Sequence, residues 1–66
     1  MVANLRRIRK ERGMTQSELA AASGIHRITI SKYEAGKVTP NVDSAKSLAE
    51  ALGVTVDELI NGKKEA

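Results

Sequence analysis

The sequence predicts an all-α domain of five short helices, and three observations carry the prediction. A start signal, Thr-x-x-Glu flanked by apolar residues, occurs twice, at Met14-Thr15-Gln16-Ser17-Glu18-Leu19 and at Val54-Thr55-Val56-Asp57-Glu58-Leu59. In each, the threonine hydroxyl can accept from a free helix-start amide, the glutamate can reach back, and the apolar pair can close over the join. Stops are equally clear: Gly13, Gly24, Gly36, Gly53 and Gly62 each follow a helix-compatible stretch, where a left-handed residue ends a helix. No segment makes a credible strand, because the β-branched stretch from Ile28 to Ile30 is too short and too closely bounded by glycines to pair.

These marks place helices over 4–12, 16–23, 27–34, 42–52 and 56–61. Asn4 is the expected N-cap of the first helix. On that helix Leu5, Ile8, Arg9 and Arg12 share a face, while Arg6, Arg7 and Lys10 point elsewhere. A guanidinium set among apolar neighbours needs a carboxylate, because an unpaired buried charge is costly. For Arg9 the candidate is Glu34, at the end of the third helix and on the edge of its core face.

The second helix starts at its capping box and ends at Gly24. The third is most informative on a wheel of about 100° per residue: Ile30 and Tyr33 lie within roughly 60° of each other, with His26 and Thr29 beside them, as the buried face. Arg27, Ile28, Ser31 and Lys32 spread over roughly 140° on the opposite side. An isoleucine there points outward among basic and hydroxyl side chains. Asn41 is the expected cap of the fourth helix, whose Val42, Ala45, Leu48, Ala49 and Leu52 recur at helical spacing as one apolar face. Pro40 excludes Thr39 from helix, so residues 36–41 form the one substantial loop. On the fifth helix Leu59 and Ile60 are adjacent and cannot both point to one core spot; one of them, with Val56, is expected to make a symmetric contact between two copies.

The 66 residues suffice for one domain, residues 1–66 with a core over 4–62, and not for two. The chain has no cysteine, one histidine and one aromatic residue, Tyr33. A disulfide framework and a thiolate zinc site are therefore excluded, and no apolar run suggests a membrane span or signal peptide. Below about 70 residues a core rarely stabilises a fold strongly, which favours regular helix packing or self-association. Catalysis has no raw material: the acids are scattered singly, no nucleophile sits with a base, and no glycine pattern cradles phosphate. No metal, cofactor or small-molecule ligand is expected.

Charge points to a polyanion. Residues 1–37 hold eight Lys and Arg against three Asp and Glu, a surplus of +5, whereas residues 38–66 hold three against five, a deficit of −2. Such a polarised field suits a surface that approaches a polyanion on one side only. Residues 16–34 form a helix-turn-helix through Gly24-Ile25-His26, a motif whose second helix can lie in a DNA major groove. Its outer face fits that use, since Arg27 and Lys32 suit guanine O6 and N7, Ser31 is permissive, and Ile28 offers apolar contact to a thymine methyl. Free amides at the start of the second helix, Gln16 and Ser17, point toward phosphate, and Lys37, Thr39 and Asn41 can grip the backbone from the following loop.

The stretch Met14-Thr15-Gln16-Ser17-Glu18-Leu19-Ala20, then Gly24-Ile25 and Thr29-Ile30-Ser31-Lys32-Tyr33-Glu34-Ala35-Gly36-Lys37, resembles the lambda-repressor/Cro family of phage-type helix-turn-helix regulators. Pro40-Asn41, Leu48-Ala49-Glu50-Ala51-Leu52-Gly53-Val54 and Asp57-Glu58-Leu59 look like the rest of that domain, so the resemblance spans about residues 4–62. It implies a five-helix lambda-repressor-like DNA-binding domain, with Gln16 in the glutamine position that contacts phosphate and braces the recognition helix. It also implies base-reading positions at Arg27, Ile28 and Lys32, a backbone contact at Lys37, and a buried ion pair between Arg9 and Glu34. Two residues depart from the family pattern. His26 stands where serine or threonine usually caps the third helix, which leaves either a weaker start or an imidazole acceptor. Ile28 replaces a more usual polar residue, so operator preference does not transfer from a relative.

The expectation is a transcriptional regulator, a repressor, that binds double-stranded DNA as a homodimer on a palindromic operator. Two recognition helices about 34 Å apart then enter successive major-groove turns. The implied setting is the cytoplasm of a bacterial cell, at the nucleoid, from a bacterial or phage gene. Two alternatives stay open. One is a controller or antitoxin-type regulator of a paired gene system, disfavoured as an antitoxin because no toxin-binding tail extends past Lys63-Lys64-Glu65-Ala66. The other is a protein-binding module of the same fold, disfavoured because such a module is expected to show acids or larger apolar groups on the outer face of the third helix.

Overall fold

Helix ends in this chain are set by side-chain caps and by glycine, and in the computed structural model, which describes residues 3–61, they give α1 (Ala3–Glu11), α2 (Gln16–Ser23), α3 (Arg27–Glu34), α4 (Val42–Leu52) and α5 (Val56–Asn61). The last four have the bounds that the caps and glycines predict, and α1 lies one residue earlier at each end. Asn4 does not cap α1. It lies inside the helix, its Nδ2 donating to the Ile60 carbonyl of α5 and its Oδ1 accepting from Arg7 Nη2, each at 3.5 Å. Gly62 and Lys63-Lys64-Glu65-Ala66 lie outside the described residues.

Both capping boxes form. The Glu18 amide donates to Thr15 Oγ1 at 3.0 Å and the Thr15 amide to Glu18 Oε1 at 2.9 Å; at α5 the corresponding distances are 3.0 and 3.5 Å for Glu58 and Thr55. Asn41 Oδ1 accepts from the Ser44 amide at 2.8 Å and so caps α4 as expected. Two left-handed glycines bracket α3. Gly24, at φ 74°, ends α2 with its N–H donating to the Ala20 carbonyl at 2.9 Å, and Gly36, at φ 75°, donates to Tyr33 at 3.1 Å. A side chain at either φ strains the backbone, so these positions hold the chain's reversal on each side of α3.

The core is one cluster drawn from every described helix: Leu5, Ile8, Leu19, Ile30, Tyr33, Leu48, Ala49, Leu52 and Leu59. Leu5, Leu19, Ile30, Leu48 and Leu59 are fully buried, each contributing about 1.5–3 kcal/mol by its removal from water. Packing runs α1 against α3 and α5, α2 against α3 and α4, and α4 against α5. Met14 and Val54, the residues before the two capping boxes, lie against this cluster.

Three assignments change. Val42 keeps the period of the α4 stripe but is 71% exposed, because as the first residue of α4 it projects beyond the core that Ala45, Leu48, Ala49 and Leu52 enter. The Leu59–Ile60 pair is resolved: Leu59 is fully buried and is removed from the candidate dimer contacts, while Ile60 is 39% exposed. The cause is local, since Leu59 holds the fourth helical position of α5, where the staple with Val54 turns it inward. Val56 is half-buried against the core. Arg12, grouped with the core face of the first helix, is exposed just past the end of α1.

Candidate nucleic-acid interface

The site is built on α3, whose inner residues Ile30 and Tyr33 are buried while Arg27, Ile28, Ser31 and Lys32 are all exposed. Ile28 is 52% exposed, which sets it apart from the isoleucines Ile8 and Ile30 that the core absorbs. His26 begins the helix as an imidazole cap, its Nδ1 accepting from the Ile28 amide at 3.1 Å. It is exposed, not beside Ile30 and Tyr33, because an N-cap has non-helical backbone (φ −59°, ψ 141°) and falls off the helical wheel.

At its other end α3 is braced to α1 and α2 by charge. Arg9 Nε donates to Glu34 Oε2 at 2.7 Å and Arg9 Nη2 to Glu34 Oε1 at 3.1 Å, a two-pronged pair with side chains only 10% and 6% exposed. Arg9 Nη1 also donates to the Met14 carbonyl at 2.7 Å, and Gln16 Nε2 donates to Glu34 Oε1 at 3.1 Å. One carboxylate thus joins three elements. Burial alone pushes the Glu34 carboxyl up, but the bonds from Arg9 and Gln16 and the charges of Arg9 and Arg6 outweigh it and hold Glu34 below its ordinary value. The bond to Glu34 in turn holds Arg9 above its own. The pair is charged at neutral pH.

The candidate contacts fall into three places. Gln16, the first residue of α2, is half-buried; one Nε2 hydrogen is spent on Glu34, leaving the other hydrogen and the helix-start N–H for an outside acceptor. It shares a groove with Ser31, Arg6, Arg9, Glu34 and Ala35. Ser17 and Arg27 share a separate, open depression over the α2–α3 turn with Gly24, Ile25 and His26. Lys37, Thr39 and Asn41 are exposed on the loop after α3 and line neither groove. Lys37 is nonetheless tied to α3, since its N–H donates to the Lys32 carbonyl at 3.0 Å. Asn41 spends its Oδ1 on the α4 cap and keeps its Nδ2 free to donate. Arg6 is the residue that the sequence pattern missed: on α1 it belongs to the polar side, and only the packing of α1 on α3 brings it to Ser31 and Gln16.

A capped helix with a buried inner face and a basic, partly apolar outer face, set after a tight turn from a preceding helix, defines a helix-turn-helix DNA-binding domain. The sequence comparison agrees, as a helix-turn-helix family model matches residues 5–59. The chain belongs to the Cro/C1-type family of helix-turn-helix transcriptional regulators.

Its relatives carry names of that kind. An uncharacterized HTH-type transcriptional regulator of Sinorhizobium fredii is 40% identical over 63 residues, 96% of this chain and 82% of that protein. The HTH-type transcriptional activator BcrR of Enterococcus faecalis is 38% identical over 60 residues, which are 91% of this chain and 29% of that protein. The cryptic phage CTXphi transcriptional repressor RstR of Vibrio cholerae is 32% identical over 59 residues, 89% of this chain and 53% of that protein. The chain therefore spans well under two thirds of several relatives that it matches. No helix among the described residues is long and apolar enough to cross a membrane.

Proposed function

We propose that this chain is a sequence-specific regulator that binds double-stranded DNA as a homodimer on a palindromic operator and represses transcription there. The observation that carries the proposal is the division of α3, with Ile30 and Tyr33 locked into the core and Arg27, Ile28, Ser31 and Lys32 all left on one open face. Laid in a major groove, that face puts Arg27 and Lys32 against guanine O6 and N7 and Ile28 against a thymine methyl, with Ser31 accepting either partner. Gln16 and Ser17 hold a phosphate with their helix-start amides, and Lys37, Thr39 and Asn41 hold the strand beyond α3.

One such face covers few base pairs, so two copies related by a two-fold axis fit a palindrome whose half-site centres lie about 34 Å apart. Ile60, exposed on α5 beside half-buried Val56, is the surface for that contact. Repression needs only occupancy of the operator, and RstR bears the name of a repressor. The setting is the bacterial cytoplasm, where the duplex lies.

Selection of bound sites from random duplex DNA tests this directly. An inverted repeat with half-sites one helical turn apart is the expected product. A single asymmetric site, with a monomer in sedimentation both free and on that DNA, rejects the dimer; no enriched sequence at all rejects base reading.

A further inference from the structure

The groove between α1, α2 and α3 contains one charged residue that neither base reading nor the Arg9–Glu34 brace uses. Its lining is Arg6, Arg9, Gln16, Ser31, Glu34 and Ala35. We infer that this groove receives a phosphodiester group of the bound duplex and that Arg6 is its principal ligand, an inference that rests on the DNA-binding function proposed above.

Charge is the first support. Arg9 and Glu34 neutralise each other through two bonds, and Arg6 has no carboxylate within ion-pair distance among the described residues. Two guanidiniums against one carboxylate leave a single positive charge in the groove, matching the single negative charge of a phosphodiester. The next residue makes the contrast: Arg7, also exposed on α1, is paired with Glu11 at 3.0 Å.

Position is the second support. Arg6 stands on α1, yet it shares the groove with Ser31 of the α3 outer face and with Gln16 at the first turn of α2, and its charge is felt at Glu34. Hydrogen-bonding capacity is the third. Arg6 and the second Nε2 hydrogen and helix-start N–H of Gln16 are all donors, whereas the Glu34 carboxylate already accepts from Arg9 and Gln16. A group made only of acceptors, such as a phosphodiester, fits such a lining; the edges of adenine and cytosine, which present amino donors, do not.

The test compares the salt dependence of binding for the wild type, Arg6→Ala, Arg6→Lys and Arg7→Ala, on the selected site and on a scrambled duplex. Each phosphate contact contributes about 0.9 to the slope of log affinity against log salt. Between about 200 and about 50 mM salt the wild type therefore gains about 3.5-fold more affinity than Arg6→Ala, by the same factor on both duplexes. Arg6→Lys restores most of that gain as a point charge, and Arg7→Ala, which removes the same formal charge one residue away, retains it. Far-ultraviolet circular dichroism melts confirm that each variant is folded, with Arg6→Gln as a second neutral variant that keeps the stem.

An unchanged slope in Arg6→Ala overturns the inference. Equal losses in Arg7→Ala also overturn it, because net charge then suffices. A loss confined to the selected site overturns it in favour of a base contact. A wild type that binds both duplexes equally rejects base reading instead, and leaves the Arg6 comparison measurable on either duplex.

Discussion

The helices α1 to α3 and the helices α4 and α5 share one apolar core, but among the described residues only the first group adds an ion pair to it. The first group meets at a carboxylate: Glu34 accepts from Arg9 at 2.7 and 3.1 Å and from Gln16 at 3.1 Å, and Arg9 reaches on to the Met14 carbonyl at 2.7 Å. The second group is held by the apolar side chains of Ala45, Leu48, Ala49, Leu52 and Leu59, with no ion pair between helices among the described residues. Burial is non-directional, whereas hydrogen bonds specify distance and angle. A buried ion pair is weak evidence for stability, since desolvation offsets most of its attraction. What it supplies here is geometry, by fixing α3 relative to the first turn of α2. The surface follows the same division, with the surplus of Lys and Arg in residues 1–37 and the surplus of Asp and Glu in residues 38–66.

The sharpest way to break this contrast is Glu34→Ala, which leaves the Arg9 guanidinium buried without its partner. A loss of about 3–5 kcal/mol in chemical denaturation is expected, a large share of the stability of a small domain. Glu34→Gln keeps an acceptor for Arg9 and is expected to lose less; an unchanged melting temperature in Glu34→Ala contradicts the brace. The same pair sets an acid limit. Because the folded Glu34 carboxyl lies below its ordinary value of 4.5, its stabilisation is fully present above that pH and is lost as pH falls through the folded value. Stability measured from pH 7 downward is therefore expected to drop less steeply in Glu34→Gln than in the wild type.

Leu59→Ala probes the other half, with an expected cost of about 2–5 kcal/mol from lost burial and the cavity left behind. His26→Ala removes the cap from α3 and is expected to cost about 0.5–2 kcal/mol, most of it recovered in His26→Asn. The smallest effect on folding belongs to Ile60→Ala, under about 0.5 kcal/mol, although the proposed dimer is expected to weaken in sedimentation. If Ile60→Ala costs as much as Leu59→Ala in thermal melts, the division of that pair between core and surface is wrong.

Local chemistry made most of the fold legible. Thr15, Thr55 and Asn41 bind amides within their own first turns, and glycine ends a helix through its own φ, so the bounds of α2 and α4 and the start of α5 follow from neighbours in sequence. The Arg9–Glu34 pair was also readable, because an arginine on an apolar face demands a carboxylate. The misreadings are tertiary. Asn4 is a good cap in isolation, but packing of α1 on α5 gives its amide a different partner in the Ile60 carbonyl. Val42 obeys the period of α4 and still lies outside the core, because periodicity gives a direction and not how far along the helix the core extends. Leu59 is the exception, since a helix of 6 residues is too short for periodicity to orient but the staple with Val54, a local signal, turns Leu59 inward and leaves Ile60 outside. Arg6 reaches Ser31 only because α1 packs on α3, a proximity that no spacing within α1 records.

The central claim is that the outer face of α3 reads bases while its surroundings hold phosphates. The ratio of affinities for the selected site and a scrambled duplex, at one salt concentration, measures this in the wild type and in a variant carrying both Arg27→Ala and Lys32→Ala. A wild-type ratio of at least about 10³ is expected. In the variant it falls by about 10- to 100-fold for each base-reading side chain removed, as the selected site weakens far more than the scrambled one. A variant that loses affinity for both duplexes equally, with the ratio unchanged, places Arg27 and Lys32 on phosphates and contradicts base reading by α3.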